Sequence, residues 1–522
     1  MRLNSFLSAF LALAFATAAQ TALAQAFTVQ GKVVDDKGEP MIGVTITGKG
    51  GKTLNVTDSE GRYTISLSSP TKLKFSYVGT ETVTIDAKKG LNKDIVMHPS
   101  ATALEDVVVV GFGSQKKINL TGSVQSISSK DILRANVSNG SAALQGIVPG
   151  LTAMQTSGQP GNDQAALRLR GLGSLNSSTS PLILIDGVEG DFNRIDLNNI
   201  ESISVLKDAA SASIYGSRAS NGVILVTTKR GAEGKPTVTF NGYVGINTPT
   251  TLPEPTSAIE YMQAVDAARK NAMQQPLYTD IIEIYKNGGV DQTNYYDTDW
   301  KKEVLKSSAL VQNYSVGVSG GSEFLKIYAS AGYYTQDGLI DNNKFSRTSL
   351  RLNTDMKVNK WMKLGVDASV RQANAKSPVL DSPTNIIGKA LTMTPIMSGI
   401  NADGTYGYGI NGTNPIAMVR CGCTSNSVAP EYIIKTSLTL TPFKGLSVFG
   451  SYTWKRNDGE VKAFAKPYDT YENGVFKGAF PTTGSSMSEQ RTKTVRKQYD
   501  LTGTYENTFG KNYMKALLGF QS

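Results

Sequence analysis

Few residues in this sequence have the types and spacing that catalysis requires. His98 is the only histidine, and no nucleophile stands at a known spacing from it, so Ser-His-Asp and Cys-His arrangements lack a base. Asp297 and Asp299 are paired carboxylates, but this pattern is common in polar loops and is a weak sign of acid–base chemistry. Because no catalytic set can be assembled, the sequence predicts neither an enzyme nor a cofactor site.

Two groups of residues have side chains that metals bind. Cys421 and Cys423, one residue apart, are compatible with a local disulfide, with free thiols or, if further ligands are near, with a metal site. Four acidic residues near the N-terminus could be imagined as a calcium cluster, but turn formation fits them better. They are Asp35, Asp36, Asp58 and Glu60. The sequence predicts no metal centre and leaves the state of the cysteine pair open.

The charge pattern argues against nucleic acid as a partner. Lys and Arg number 53 against 43 Asp and Glu, for a formal net charge of +10. The basic residues are scattered and mostly alternate with apolar ones, so no continuous basic face is predicted. Contact with anionic lipid headgroups fits this pattern better.

The 51 glycines, with many Ser, Thr and Asn, favour a β-rich protein with many turns.

The first residues resemble a secretory signal. Arg2 gives a positive start, Phe6 to Ala19 is apolar, and Ala22-Leu23-Ala24 is a small-residue cleavage site, so residues 1–24 are predicted to be a signal peptide. No later stretch of about 18 apolar residues follows, so no transmembrane helix is predicted. If the mature protein is in a membrane, it must be a β-barrel, because only helices and closed barrels satisfy their backbone groups in lipid.

Residues 27–98 are predicted to form a small β-sandwich. Short apolar alternations are separated by Asp/Gly turns at 35–38 and 58–61. The stretch GKVVDDKGEPMIGVTITGKG, followed by TDSEGRYTI, resembles the carboxypeptidase-regulatory-like domain, which is non-catalytic.

Residues 104–113 contain a run of four valines, preceded by acids and followed by glycines. The run predicts a strand, with no turn that joins it to a partner. Its residues alone leave two interpretations open, a buried strand of the next domain or an edge strand to which another protein adds a strand. The segment LEDVVVVGFGSQKK resembles the TonB-box region of SusC-type proteins, which favours the docking strand.

Residues 114–231 are predicted to be an α+β domain. Leu167 and Leu169 alternate with Arg168 and Arg170 in a strand, and Ile200 to Leu206 alternates again. The stretches AALQGIVPGL and NNIESISVLKDAASASIYGSRASNGVILVTTKRG resemble the plug domain of TonB-dependent receptors. Five charged residues could bind substrate, but bonds to the barrel wall or to one another fit better. They are Arg168, Arg170, Lys207, Asp208 and Arg218.

From residue 236 to 522, alternation of apolar and polar residues predicts about nine strands. Strands of about ten residues are long enough to cross a bilayer, which favours a transmembrane barrel over a soluble sandwich. The stretch that begins NYYDTDWKKEVLKSSALVQNYSVGVSGG resembles the start of the SusC-type barrel. A long loop from Pro378 to Pro430 is predicted to face outward, and its Tyr406 and Tyr408 could stack on a sugar or simply pack within the loop.

The sequence as a whole resembles the SusC type (SusC/RagA family) of TonB-dependent outer-membrane transporters, from about residue 27 onward. The resemblance implies a mainly β protein with an N-terminal β-sandwich, an α+β plug and the first part of a barrel of about 22 strands. It implies active import of a glycan oligosaccharide or peptide, with a SusD-like surface lipoprotein as partner and the TonB–ExbB–ExbD complex as energy source. Asp106, Val107, Val108, Val109 and Val110 are the residues that would pair with TonB.

Two further expectations concern the role and the extent of the chain. An alternative role is an outer-membrane signalling receptor that reports to an anti-sigma factor through its N-terminal domain. About nine strands are too few to close a barrel of about 22, so an incomplete wall partly wrapped around the plug is expected.

Overall fold

The computed structural model describes residues 27–36, 38–48, 53–77, 80, 82–90, 92–98, 107–110, 113–116, 124–134, 139–171, 179–208, 212–290, 295–510 and 512–522. The predicted signal peptide, residues 1–24, lies outside this range. None of the described helices is long and apolar enough to cross a membrane.

The N-terminal residues form two small sheets that share one core. The strands are β1 (Phe27–Val34), β2 (Thr45–Thr47), β3 (Thr53–Val56), β4 (Arg62–Leu67), β5 (Thr71–Ser76), β6 (Val83–Ala87) and β7 (Ile95–Val96). One sheet has the order β4-β1-β7 and the other β3-β2-β5-β6. Alternate residues of β4 and β5 point inward and bury Tyr63, Ile65, Leu73 and Phe75, as period-two patterning requires.

The acidic residues of this domain form its turns. The carboxylate of Asp58 accepts hydrogen bonds from the backbone N–H groups of Glu60 and Arg62, at 2.9 and 2.8 Å. These bonds, above all the one from the backbone N–H of Arg62, hold the pKa of Asp58 below its usual value. Asp35 accepts from the backbone N–H of Glu39 at 2.8 Å in the preceding turn. The two carboxylates are thus used locally, to fix the chain reversals.

A second pair of strands follows, β8 (Val107–Val110) and β9 (Gly113–Lys116). They form a two-stranded sheet with each other. The expectation that no turn joins the valine run to a partner strand is therefore wrong, because β9 follows closely and pairs with it. Only two residues separate β8 from β9, and two-residue connections are the commonest way to join paired strands. Asp106, expected to begin the docking segment, lies outside the described residues.

The next domain, which we call the plug (residues 124–231), is built on a five-stranded sheet of order β10-β15-β16-β13-β14. Its strands are β10 (Val124–Ser128), β11 (Leu151–Gln155), β12 (Ala165–Leu169), β13 (Leu182–Ile185), β14 (Val188–Glu189), β15 (Ile200–Leu206) and β16 (Val223–Thr228). Short helices α1 (Ser129–Leu133) and α2 (Gly140–Ala143) lie between β10 and β11. The separate β11–β12 pair packs Leu151, Leu167 and Leu169 into the same core as Ile203 and Ile224.

The remaining residues form a nine-stranded antiparallel sheet, which we call the wall, of order β17-β18-β19-β20-β21-β23-β24-β27-β28. Its strands are β17 (Gly234–Asn247), β18 (Ala309–Gly321), β19 (Leu325–Asp337), β20 (Lys344–Lys357), β21 (Met362–Pro378), β23 (Thr424–Leu440), β24 (Leu446–Ala465), β27 (Ser486–Phe509) and β28 (Asn512–Gln521). The sheet does not close, as expected from the number of strands.

The two faces of the wall have the polarity of a membrane barrel and not of a soluble sheet. On β20, Leu350 and Leu352 are 52% and 40% exposed, whereas Arg347 and Asn353 are 6% and 0% exposed. Apolar side chains therefore point outward and polar ones point toward the plug, the alternation of barrels in lipid.

The two ends of the wall differ in loop length. At one end the connections are short, at 322–324, 358–361, 441–445 and 510–511. At the other end lie the connections 248–308, 338–343, 379–423 and 466–485. Outer-membrane barrels have short periplasmic turns and longer extracellular loops, so the second set marks the loop side of the wall.

The long connections are folded. They hold helices α3 (Ala258–Asn271), α4 (Thr279–Lys286), α5 (Trp300–Val304), α6 (Pro383–Thr392) and α7 (Pro415–Arg420), and strands β22 (Tyr406–Gly407), β25 (Tyr468–Glu472) and β26 (Val475–Phe480). Ser257 and Glu260 form a reciprocal capping box that starts α3. Helices α5, α6 and α7 share a buried core that includes Trp300 and Ile416, the loop cluster. The predicted loop of residues 378–430 ends earlier, because β23 begins at Thr424.

Candidate functional site: the interface between plug and wall

A buried carboxylate stands at the turn that follows β13. Asp186 has a left-handed φ of 48°, a conformation that Asp and Asn adopt more readily than most residues. Its carboxylate accepts hydrogen bonds from the backbone N–H and the hydroxyl of Thr228, at 3.0 and 2.6 Å. These bonds fasten the β13 turn to the end of β16.

Two wall side chains bond to the same turn, and a third bonds to the adjoining end of β16. Lys435 on β23 donates from Nζ to the carbonyl oxygen of Asp186 at 2.6 Å, and Arg351 on β20 donates to its carboxylate at 3.3 Å. Asn353 donates to the Thr228 hydroxyl and to the Lys229 carbonyl, both at 2.8 Å. The side chains of Arg351 and Asp186 are only 11% and 10% exposed, so salt screens this pair less than a surface pair.

The segment that leaves the plug is tied down next to this turn. Arg230 donates both terminal nitrogens to the Asp367 carboxylate on β21, at 2.5 and 2.9 Å. Asp355 on β20 lies 3.5 Å from the same guanidinium. A two-pronged arginine–carboxylate pair fixes orientation as well as distance.

A second group of contacts holds the β14 hairpin. Lys455 and Gln498 donate to the backbone carbonyls of Glu189 and Gly187, at 3.2 Å each. Arg496 donates to the Glu189 carboxylate at 2.7 Å. Further along the plug, Tyr328 on β19 donates its hydroxyl to the Asn199 side chain at 2.9 Å. The described plug–wall bonds are thus polar, and most wall partners are long cationic or amide side chains.

Comparison with known proteins agrees with this arrangement. The TonB-dependent Receptor Plug Domain matches residues 116–223, and the CarboxypepD_reg-like domain matches residues 29–109. TonB-dependent receptor SusC of Bacteroides thetaiotaomicron is 30% identical over 428 residues, 78% of this chain and 40% of that protein. TonB-dependent receptor P26 of Formosa agariphila is 32% identical over 502 residues, 93% of this chain and 48% of that protein.

The solved structure of the RagAB peptide importer in its open-open state superimposes with a TM-score of 0.67 at 25% identity, over 80% of this chain and 48% of that chain. This chain belongs to the SusC type of TonB-dependent receptors. It spans about half the length of the curated relatives it matches. Those relatives are receptors and not enzymes, in line with the lack of a catalytic set in the sequence.

Two of the five plug residues that the sequence singled out in this SusC-type chain, Lys207 and Arg218, form their described direct bonds within the plug. Lys207 donates to the Gln125 side chain and the Pro149 carbonyl, at 2.8 and 2.7 Å, both within the plug. Burial and, secondarily, the nearby Arg170 lower the pKa of Lys207. Arg218 pairs with Glu189, so it reaches the wall only through that carboxylate and Arg496. The described bonds of Lys207 thus stay inside the plug, and Arg218 reaches the wall indirectly.

Arg168 is half-buried and Arg170 is exposed, and neither bonds to the wall among the described residues. The reason is the pairing of β12, which bonds only to β11 and places Arg168 opposite Thr152, inside the plug. Asp208 is half-buried just after β15 and has interaction partners. The sequence analysis did not identify Asp186 and Arg230 as plug–wall contacts. Asp186 lies in an Asp-Gly turn and Arg230 lies near a strand end, and at both places the local pattern indicates only a chain reversal.

The loop cluster accounts for the remaining candidates. The Tyr406 ring packs edge-on against Tyr468, with ring centroids 5.7 Å apart, and both belong to or border the cluster core. Tyr408 is half-buried beside Gly412. Cys421 and Cys423 are joined as a disulfide with Cα atoms 5.4 Å apart, at the start of β23. Tyr406 was expected either to stack on a sugar or to pack within the loop, and its contact with Tyr468 is packing within the loop.

Proposed function

We propose that the protein to which this chain belongs imports a nutrient across the outer membrane, driven by TonB. The proposal rests on one observation. The plug lies against the polar face of the wall, and the opposite face of the wall is apolar. A passive pore has no need of such an obstruction. The plug–wall bonds are separate polar contacts, each with a net contribution of about 1–3 kcal/mol, so they can be broken one after another and re-formed.

Energy coupling is assigned to β8. TonB would add a strand to Val107–Val110, because backbone hydrogen bonds give affinity without a demand for particular side chains. An isolated two-stranded sheet is marginally stable, so the β8–β9 pair is weak enough to be opened or extended by a partner. Force applied at this point is transmitted along the chain into the plug.

The family resemblance supports the proposed partners and cargo. A SusD-like surface lipoprotein is proposed at the loop side, and export is assigned to the signal-like residues 1–24. The cargo is a glycan oligosaccharide or a peptide. RagAB is described as a peptide importer, which supports the peptide.

The test is a proline in β8. Val108→Pro in the full-length protein removes a backbone donor and should abolish uptake, while ligand still binds at the cell surface. Val108→Thr keeps a β-branched residue and the donor, and serves as the matched control. Normal uptake by Val108→Pro would refute the assignment.

A further inference from the structure

The loop-side half of the plug–wall gap contains a second feature, a cavity with an excess of arginine. Three arginines and two aspartates line it, namely Arg194, Arg347, Arg371, Asp163 and Asp191. Neutral polar side chains of the plug, including Asn193 and Gln164, line it as well. Arg347 is the fourth residue of β20, which starts at the loop side, so the cavity faces the side from which ligand arrives.

The two wall arginines are neighbours by register. Arg347 pairs with Ala373 and Arg371 pairs with Ser349, so the two lie diagonally on adjacent strands and point to the same face. Diagonal neighbours in a sheet are about 7–8 Å apart, within reach of one shared small ligand group for side chains of this length. Both are more than nine-tenths buried, at 6% and 7% exposure.

The arginines are incompletely paired within the described chain. The Nη2 atom of Arg371 is buried and has no hydrogen-bond partner among the described residues. Its Nε is 3.4 Å from Glu431, a carboxylate that Lys455 shares at 3.3 Å. Arg347 donates from Nη1 only to a neutral acceptor, the carbonyl of Asn193, at 3.3 Å. Arg194, by contrast, is 3.0 Å from Asp191.

A buried guanidinium nitrogen without a partner is costly, and two arginines that face one cavity repel each other. An anion between them removes both penalties. A carboxylate matches the planar fork of a guanidinium in two parallel hydrogen bonds. Neutral sugar hydroxyls would leave the charges unmatched.

We propose that Arg347 and Arg371 form an anion-binding subsite that takes a carboxylate group of the transported ligand. The proposal rests on the import function above and narrows its cargo to molecules that carry a free carboxylate. The carboxylate belongs either to the free C-terminus of a peptide or to a uronic acid of a glycan.

The experiment measures equilibrium binding to the full-length protein, purified in detergent with any lipoprotein that accompanies it. Four probes form two matched pairs. One pair is a ten-residue peptide without acidic side chains, with a free or an amidated C-terminus. The other is a uronic-acid oligosaccharide and a neutral oligosaccharide of equal length. The pair that responds identifies the source of the carboxylate.

The expected result is that one acidic probe binds about tenfold or more tightly than its neutral partner, the effect of one charged hydrogen-bonded pair. Arg371→Met and Arg347→Met should remove this preference, whereas Arg456→Met, which alters an arginine paired with Asp458 on its own strand, should keep it. The wild-type comparison needs no variant, so a variant that fails to fold does not weaken the test.

The proposal is overturned if neither acidic probe binds more tightly than its neutral partner, or if the double variant Arg347→Met/Arg371→Met keeps the preference. Binding in detergent needs no TonB. A failure here with TonB-dependent uptake intact therefore removes the subsite alone, and normal uptake by Val108→Pro removes the import mechanism alone.

Discussion

Arg230 and Asp367, 137 residues apart in the chain, form a two-pronged ion pair with nitrogen–oxygen distances of 2.5 and 2.9 Å. Arg230 stands between the last plug strand and the first wall strand, and Asp367 lies on the polar face of β21. The pair therefore anchors the C-terminal end of the plug. β8 precedes the plug in the chain, so any force applied at β8 would enter the plug from its N-terminal side in sequence.

Removal of one member of this pair should loosen the plug. Arg230→Met leaves Asp367 unmatched in a part-buried site, with a cost on the order of 2 kcal/mol, between the values for surface and buried pairs. We expect a raised single-channel conductance of the full-length protein in planar bilayers. The double variant Arg230→Met/Asp367→Met removes the carboxylate that Arg230 holds most closely, so that only the more distant Asp355 and Asp186 lose a partner, and it should leak less than Arg230→Met. Equal leakage by both would contradict an anchoring role.

The backbone conformation and the charge of Asp186 should contribute separately to the stability of the protein. Asp186→Ala removes the acceptor for both Thr228 donors and places alanine at a left-handed φ, which alanine disfavours. We therefore expect the free energy of unfolding to fall by about 2–3 kcal/mol. Asp186→Asn keeps the φ preference and an acceptor but loses the charge near Arg351. Denaturant unfolding should rank wild type, Asn and Ala in that order. A ranking in which Asn is as damaging as Ala would show that charge alone matters.

A glycine at the base of the plug depends on close approach to the wall. A Cβ atom built on Gly231 would lie 2.2 Å from the backbone nitrogen of Ile327 on β19. Gly231→Ala should therefore displace the segment that links plug and wall and lower the yield of folded protein. Gly158→Ala, where nothing lies within 4 Å, is the control and should fold normally. If Gly231→Ala had the yield and stability of wild type, the backbone of β19 would have to shift easily to make room for the added methyl group.

The N-terminal domain should lose stability at high pH. The Tyr63 hydroxyl donates to the Lys93 carbonyl at 2.7 Å, and burial, with a smaller contribution from Asp94, raises its pKa to about 12. The unfolded value is near 10, so the folded state favours the neutral phenol. The stabilisation is complete below about pH 10 and is lost as the pH rises toward 12.

The ionisation of Tyr63 can be measured by its own ultraviolet absorbance. Residues 27–98 contain two tyrosines and no tryptophan, so Tyr77→Phe leaves Tyr63 alone. Ultraviolet titration of that domain should show ionisation near pH 12 when folded and near pH 10 in denaturant. Coincident titrations in both states would contradict the buried hydrogen bond.

The sequence predicted the strands well because each one is a local pattern. Alternation over residues such as Leu350 to Met356 and Met362 to Val370 marks wall strands whose observed bounds, Lys344–Lys357 and Met362–Pro378, contain them. About nine strands were expected from the patterning, and the wall has nine. The helices α3 and α4 were missed, although neither stretch contains glycine or proline and α3 begins with a Ser-x-x-Glu capping box.

The plug–wall contacts could not be predicted in this way. Alternation shows that Lys435 points to the polar face, but not that it meets Asp186, which is 249 residues earlier in the chain. That pairing depends on where the plug sits against a sheet of nine strands, a property of tertiary packing. Of the charged residues chosen from the plug sequence, Lys207 and Arg218 bond to groups inside the plug.

The most direct measurement of the central claim is the exposure of a wall residue that the plug covers. Asn353 is fully buried and bonds to the plug at Thr228 and Lys229. Asn353→Cys in the full-length protein can be labelled in living cells by a small maleimide only when the plug leaves the wall. We expect ligand-stimulated labelling that falls to background when TonB is deleted or Val108→Pro is added. Equal labelling with and without TonB would contradict TonB-driven release of the plug.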